Sequence, residues 1–214
     1  MTPFTLSSPG SFGRPGGPAD LVVYLHGFRS SSRSVKAQKM MQVFEEAGRA
    51  GNLWVPDLPA SPSAALGLVL QKVNASLQQD PGLSLAFIGS SLGGFYATVL
   101  GERYPQSSMV LLNPAVKPYD DLQDQIGKSR VYFTEEEFEF VPAYLAELRH
   151  MEETGLTRPE RCFLVAAKDD EVLSCAMMLA RYRGAHQLVL HGSDHALSDF
   201  DDILPFVKLA LGLQ

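Results

Sequence analysis

Short runs of consecutive apolar residues alternate along the chain with longer stretches whose apolar positions recur every three or four residues. These are the signatures of strands buried on both faces and of amphipathic helices. Leu21–Leu25 (LVVYL) reads as such a strand, followed by a polar loop at 26–32 and a helix over about 33–47 that Gly48 ends. A shorter strand is predicted at 52–55, stopped by Pro56, and a helix at 61–79 with Pro62 in its first turn. Residues 84–88 form the third strand, and a helix over 93–104 follows it directly. Further strands are predicted at 109–112, 162–167 and 187–190, with helices at about 172–183 and 199–211. Alternation of this kind, with strands apolar on both faces, implies a doubly wound α/β fold: a mostly parallel sheet covered by helices on both sides.

One segment breaks the alternation. Residues 114–160 carry helical periodicity and no strand, over a length too great for a simple crossover. The segment holds eleven acids against five bases, with Tyr119, Tyr132, Phe133, Phe138, Phe140 and Tyr144 interleaved. It reads as a helical cap inserted into one domain spanning 1–214, with the aromatics lining its underside. A helical pair packed on the sheet edge is the plainer alternative.

Composition narrows the function classes. A 214-residue chain with 45% hydrophobic and 20% charged residues is an ordinary globular sequence. Its net charge of −6 argues against nucleic acid or an anionic membrane as main partner. No apolar run has the length needed to cross a bilayer, and residues 1–20 lack the basic and apolar regions of a signal peptide. Two cysteines, Cys162 and Cys175, are too few for a disulfide framework. The expectation is a cytoplasmic protein, monomeric or a small homo-oligomer.

The sharpest chemical signal is Gly89-Ser90-Ser91-Leu92-Gly93, placed between a buried strand and a helix. A tight strand-to-helix turn with small neighbours lifts its central serine clear of the sheet, and the helix N-terminus favours negative charge there. Serine needs a base to act as a nucleophile, and the base needs an acid to orient it. Of the five histidines, His195 follows the last parallel strand and so lies at the same sheet edge as Ser91. His191, which ends that strand, is the competing base. The acid comes from the loop after the preceding strand, where Asp169, Asp170 and Glu171 are consecutive and only one can face the histidine. For the oxyanion of acyl transfer, the Leu92 N–H is one donor and Phe28, in the loop His26-Gly27-Phe28-Arg29, is the second. His26 reads as a brace of that loop.

These parts together resemble an α/β-hydrolase. The blocks His-Gly-Phe-Arg-Ser-Ser, Gly-Ser-Ser-Leu-Gly-Gly-Phe-Tyr-Ala-Thr, Asn113-Pro114-Ala115-Val116, Asp-Glu-Val-Leu and Asp-His-Ala resemble the small YqiA-type esterases from about residue 21 to 199. The resemblance implies Ser91 as nucleophile, Asp170 as acid, His195 as base, and Phe28 and Leu92 as oxyanion donors. It implies hydrolysis of carboxylic esters or thioesters on a reduced sheet of about six strands. The region before Leu21 is too short for the two N-terminal antiparallel strands of larger members.

Amide hydrolysis with the same triad and ligand binding by a silent hydrolase fold are the alternatives. No cofactor and no metal are expected, because neither nucleotide-binding nor ligand-spaced histidine motifs occur. Arg29, Arg33, Lys36 and Lys39 carry no intervening acid; they read either as a solvated basic face or as an anion site. In the second case Arg29 and Arg33 stand near the mouth, and Lys36 and Lys39 point away.

Overall fold

The computed structural model describes residues 2–10, 14, 17–132, 137–152 and 155–213. Its first half runs β1 (Phe4–Ser7), β2 (Leu21–Leu25), α1 (Val35–Glu46), β3 (Leu53–Trp54), α2 (Pro62–Gln79), β4 (Leu85–Ser90) and α3 (Leu92–Arg103). The second runs β5 (Ser108–Leu112), α4 (Pro118–Asp121), β6 (Gly127–Arg130), β7 (Glu137–Phe140), α5 (Pro142–His150), β8 (Cys162–Ala167), α6 (Cys175–Arg181), β9 (His186–Leu190) and α7 (Phe200–Ala210). Helix starts follow local chemistry. Ser34, Ser61 and Ser174 each accept a backbone N–H three residues on, at the N-termini of α1, α2 and α6.

The main sheet has the order β1-β9-β8-β5-β4-β2-β3, parallel throughout except for β1. Side chains alternate between its faces. Leu21, Val23 and Leu25 pack with α2 and α3, and Val22 and Tyr24 with α1 and α7. Because all parallel strands point the same way, the loops after β2, β4, β8 and β9 gather at one edge.

The sheet has seven strands, one more than expected. β1 pairs antiparallel with β9, Phe4 opposite Leu190 and Ser7 opposite Gln187. All four of its residues are exposed, so backbone pairing and the edge contact of Phe4 on Phe206, at 4.9 Å between ring centroids, hold it; its apolar–polar alternation, FTLS, is too short to stand out in the sequence.

The segment between β5 and β8 also differs from expectation, since it contains strands. β6 and β7 form an antiparallel ribbon in register Lys128–Glu139 and Arg130–Glu137, flanked by α4 and α5. Its charges pair across the ribbon, with Arg130 Nη2 3.1 Å from Glu137 Oε1, so cross-strand pairing takes the place of the helix that the sequence predicts here. Phe140 and Tyr119 are buried, whereas Tyr132 is half exposed; Phe133 lies outside the described residues. No described helix is long and apolar enough to cross a membrane.

Candidate active site

Ser91 sits between β4 and α3 with φ 55° and ψ −123°, in the left-handed region that costs a non-glycine residue energy. Its backbone is held on both sides: the N–H donates to Leu112 O at 3.0 Å, and the carbonyl accepts from Gly94 and Ala115. The turn is tight enough to require glycines. A Cβ on Gly89 would meet Gly93 O at 2.2 Å, and one on Gly93 would meet Leu25 O at 1.9 Å.

His195, in the loop after β9, has Nε2 3.1 Å from Ser91 Oγ and Nδ1 2.8 Å from Asp170 Oδ2. The ring is oriented by these contacts, with Nδ1–H donating to the carboxylate and Nε2 accepting the hydroxyl. The Asp170 side chain is 1% exposed, and its Oδ1 accepts the N–H groups of Val172 and Leu173. The two neighbouring carboxylates serve the same loop through its backbone. Asp169 accepts from Gly192 N–H at 2.8 Å and Glu171 from His195 N–H at 3.0 Å. His191 turns away to Thr5 on β1, with Nε2 2.9 Å from Thr5 Oγ1.

The loop after β2 lies directly against the serine. A Cβ on Gly27 would stand 3.6 Å from Ser91 Oγ. Neither the Phe28 nor the Leu92 N–H has an acceptor among the described residues. His26 is buried, accepts Leu58 N–H at Nε2 and donates from Nδ1 to Gly27 O. Desolvation lowers its pKa, consistent with the neutral tautomer that these partners require. The Phe28 ring meets the edges of Phe138 and Phe140 from the ribbon, at centroid distances of 5.8 and 5.1 Å.

A cavity of about 440 Å³ opens over Ser91 and His195. Its apolar wall includes Leu92, Ala115, Pro118, Leu122 and Leu173. Arg29 and Lys36 also line it. Arg29 is engaged there, its Nε donating to Arg130 O at 3.0 Å and its guanidinium 4.6 Å from the Tyr132 ring centroid. Arg33 does not line this cavity. It borders a second one of about 390 Å³, together with Asp57, Leu58 and Tyr96, which shares Phe28 and Leu92 with the first. Lys36 reverses the expectation that it points away: its Nζ donates to Ala196 O, and desolvation lowers its pKa. The physical reason is that α1 begins only at Val35, capped by Ser34, so Arg33 precedes the helix and Lys36 occupies its first inward-facing turn. Lys39 pairs with Asp201. Lys36, Asp169, Glu171 and Asn113 all hold the backbone of the histidine loop, contacts that sequence spacing does not show. Among the described residues, no group of three or more His, Cys, Asp or Glu side chains has metal-holding geometry.

A family model, described as an uncharacterised protein family (UPF0227), matches residues 21–210. The chain belongs to the UPF0227 family. This is the family to which the YqiA-type motifs point. Solved structures with the same architecture include Est1E from Butyrivibrio proteoclasticus, at 13% identity and TM-score 0.63 over 92% of this chain and 87% of that one. The esterase domain of a Rhodothermus marinus protein matches at 16% identity and TM-score 0.61, over 99% and 96%. A monoacylglycerol lipase from Paleococcus ferrophilus matches at 12% identity and TM-score 0.58, over 91% and 96%. At these identities the likeness is one of fold, and this UPF0227 member has the α/β-hydrolase fold.

Proposed function

We propose that this protein is a serine esterase that cleaves small to medium carboxylic esters or thioesters through an acyl-enzyme. The observation that carries the reading is the single line of hydrogen bonds Asp170–His195–Ser91, at 2.8 and 3.1 Å, beneath an open cavity. Ser91 Oγ attacks the ester carbonyl while His195 Nε2 takes its proton. The imidazolium that forms is stabilised by Asp170. Oxyanion charge is met by the Phe28 and Leu92 N–H groups, the second at the N-terminus of α3 where the helix dipole adds to it. His195 then returns its proton to the leaving alkoxide or thiolate. Water, deprotonated by the same histidine, releases the acid and restores Ser91. Residues 114–160 act in this reading as the cap that supplies the apolar wall through Ala115, Pro118 and Leu122.

The esterase and lipase names of the fold neighbours support the class; the apolar wall supports an ester with a hydrocarbon part. Turnover of a short-chain p-nitrophenyl ester and labelling by a fluorophosphonate test the proposal. Ser91→Ala is expected to abolish both, with a loss on the order of 10⁶ in kcat for an efficiently cleaved ester. Turnover retained by purified Ser91→Ala protein refutes the assignment.

A further inference from the structure

Asn113 is wholly buried, has φ 43°, and occupies the position directly after β5. Its polar groups reach the strand that leads to Asp170 and the loop that carries His195. The backbone N–H donates to Val165 O at 2.9 Å, and Oδ1 accepts Ala167 N–H at 2.7 Å, both on the strand that leads to Asp170. The side-chain amide donates to Asp194 O at 3.0 Å and to His195 O at 3.1 Å. On either side of it, Leu112 O accepts the Ser91 N–H and Ala115 N–H donates to Ser91 O. The segment 112–115 therefore touches the serine turn, the acid strand and the histidine loop within four residues.

We infer that Asn113 is a positioning residue for His195, and the inference rests on the esterase reading above. It touches no substrate. Its amide is suited to the task because only an Asn or Gln side chain offers a carbonyl and two N–H donors in one plane, and a longer Gln does not fit a fully buried site. Two donors on consecutive carbonyls fix the main chain of residues 194 and 195 against both sliding and rotation. Lys36 holds the next carbonyl, Ala196 O, and Glu171 holds the His195 N–H, so the histidine backbone has a side-chain partner at every polar group. Asparagine also tolerates the left-handed backbone at this position better than other side chains with a hydrogen-bonding head.

Asn113→Asp keeps the shape and the acceptor but replaces the two donors by an oxygen facing two carbonyls. Asn113→Gly removes the side chain, and its backbone accepts φ 43° without strain, so it covers the case in which the aspartate variant does not fold. Both variants are assayed with a p-nitrophenyl ester and a fluorophosphonate, with the folded fraction measured by near-ultraviolet circular dichroism. The expected result is a fall of about 10² in kcat per folded molecule with KM within twofold of wild type, the size associated with a displacement of about 1 Å at the reacting groups. The fluorophosphonate labelling rate falls in parallel, because His195 activates Ser91 in that reaction too.

A role confined to stability lowers the melting temperature and leaves both rates per folded molecule unchanged. That outcome in either folded variant overturns the inference. Wild-type protein that neither labels nor hydrolyses any ester of the panel defeats the esterase reading itself, and this inference falls with it; the two failures are told apart by the wild-type control.

Discussion

Three consecutive carboxylates after β8 have three different partners, and this decides what each substitution does. Asp170 is bonded to the His195 ring, Asp169 to Gly192 N–H and Glu171 to His195 N–H. Asparagine at 170 presents its NH₂ or its carbonyl to Nδ1. With the NH₂ facing the ring, the imidazole proton moves to Nε2, which then cannot accept from Ser91. The expected loss for Asp170→Asn is up to about 10⁴ in kcat, the size found when a triad histidine is left in the wrong tautomer. Asp169→Asn and Glu171→Gln retain a carbonyl oxygen for the backbone N–H each accepts, so both are expected to stay within about tenfold of wild type. Steady-state kinetics of the three variants check this, and an Asp169→Asn protein less active than Asp170→Asn contradicts it. The sequence displays the three acids but not their directions, because the direction depends on how the loop leaves β8. The Asp-Glu-Val-Leu resemblance points to Asp170, and the carboxylate that bonds the ring is the same one.

At the scale of elements, legibility follows burial. LVVYL and CFLVAA are strands with the predicted limits, since runs that are apolar on both faces have few other solutions in a chain of this length. β1 and the β6–β7 ribbon are not legible in their own residues, because pairing to a neighbour holds them and that information lies elsewhere in the chain. The serine turn is legible for another reason: its glycines are demanded by contact between elements. Gly93 brings the start of α3 against the end of β2, leaving no room for a Cβ beside Leu25 O. Backbone cannot yield as a flexible side chain does. Gly93→Ala is therefore expected to push α3 off the sheet, at a cost at or above the top of the ~1–3 kcal/mol range for overpacking. Urea unfolding measures it, and an alanine variant with the wild-type midpoint shows that α3 is not pinned at this point.

Taken as a molecule, the sheet carries Ser91, Asp170 and His195 at one edge, and the segment between β5 and β8 is fastened over that edge from two sides. One fastening is aromatic, with Phe28 against Phe138 and Phe140. The other is electrostatic. Glu147 on α5 accepts the Ser63 N–H at 2.8 Å and the Ser61 hydroxyl at 3.0 Å, placing a carboxylate on the N-terminus of α2. Desolvation by itself raises the Glu147 pKa, but the hydrogen bonds from Ser63 and Ser61 outweigh it, and the net shift is downward. A carboxyl with a depressed folded value stabilises the folded state above its unfolded value, and this contribution is lost as pH falls through the folded one. Comparison with Glu147→Ala isolates the effect, because the other acids are common to both proteins. The wild type is expected to be the more stable at neutral pH, by a margin that narrows as pH drops below about 4.3, the ordinary glutamate value. Urea midpoints of the two proteins between pH 3 and 7 measure the margin. A margin that does not change over that range assigns the contribution of Glu147 to the packing of its side chain rather than to its charge.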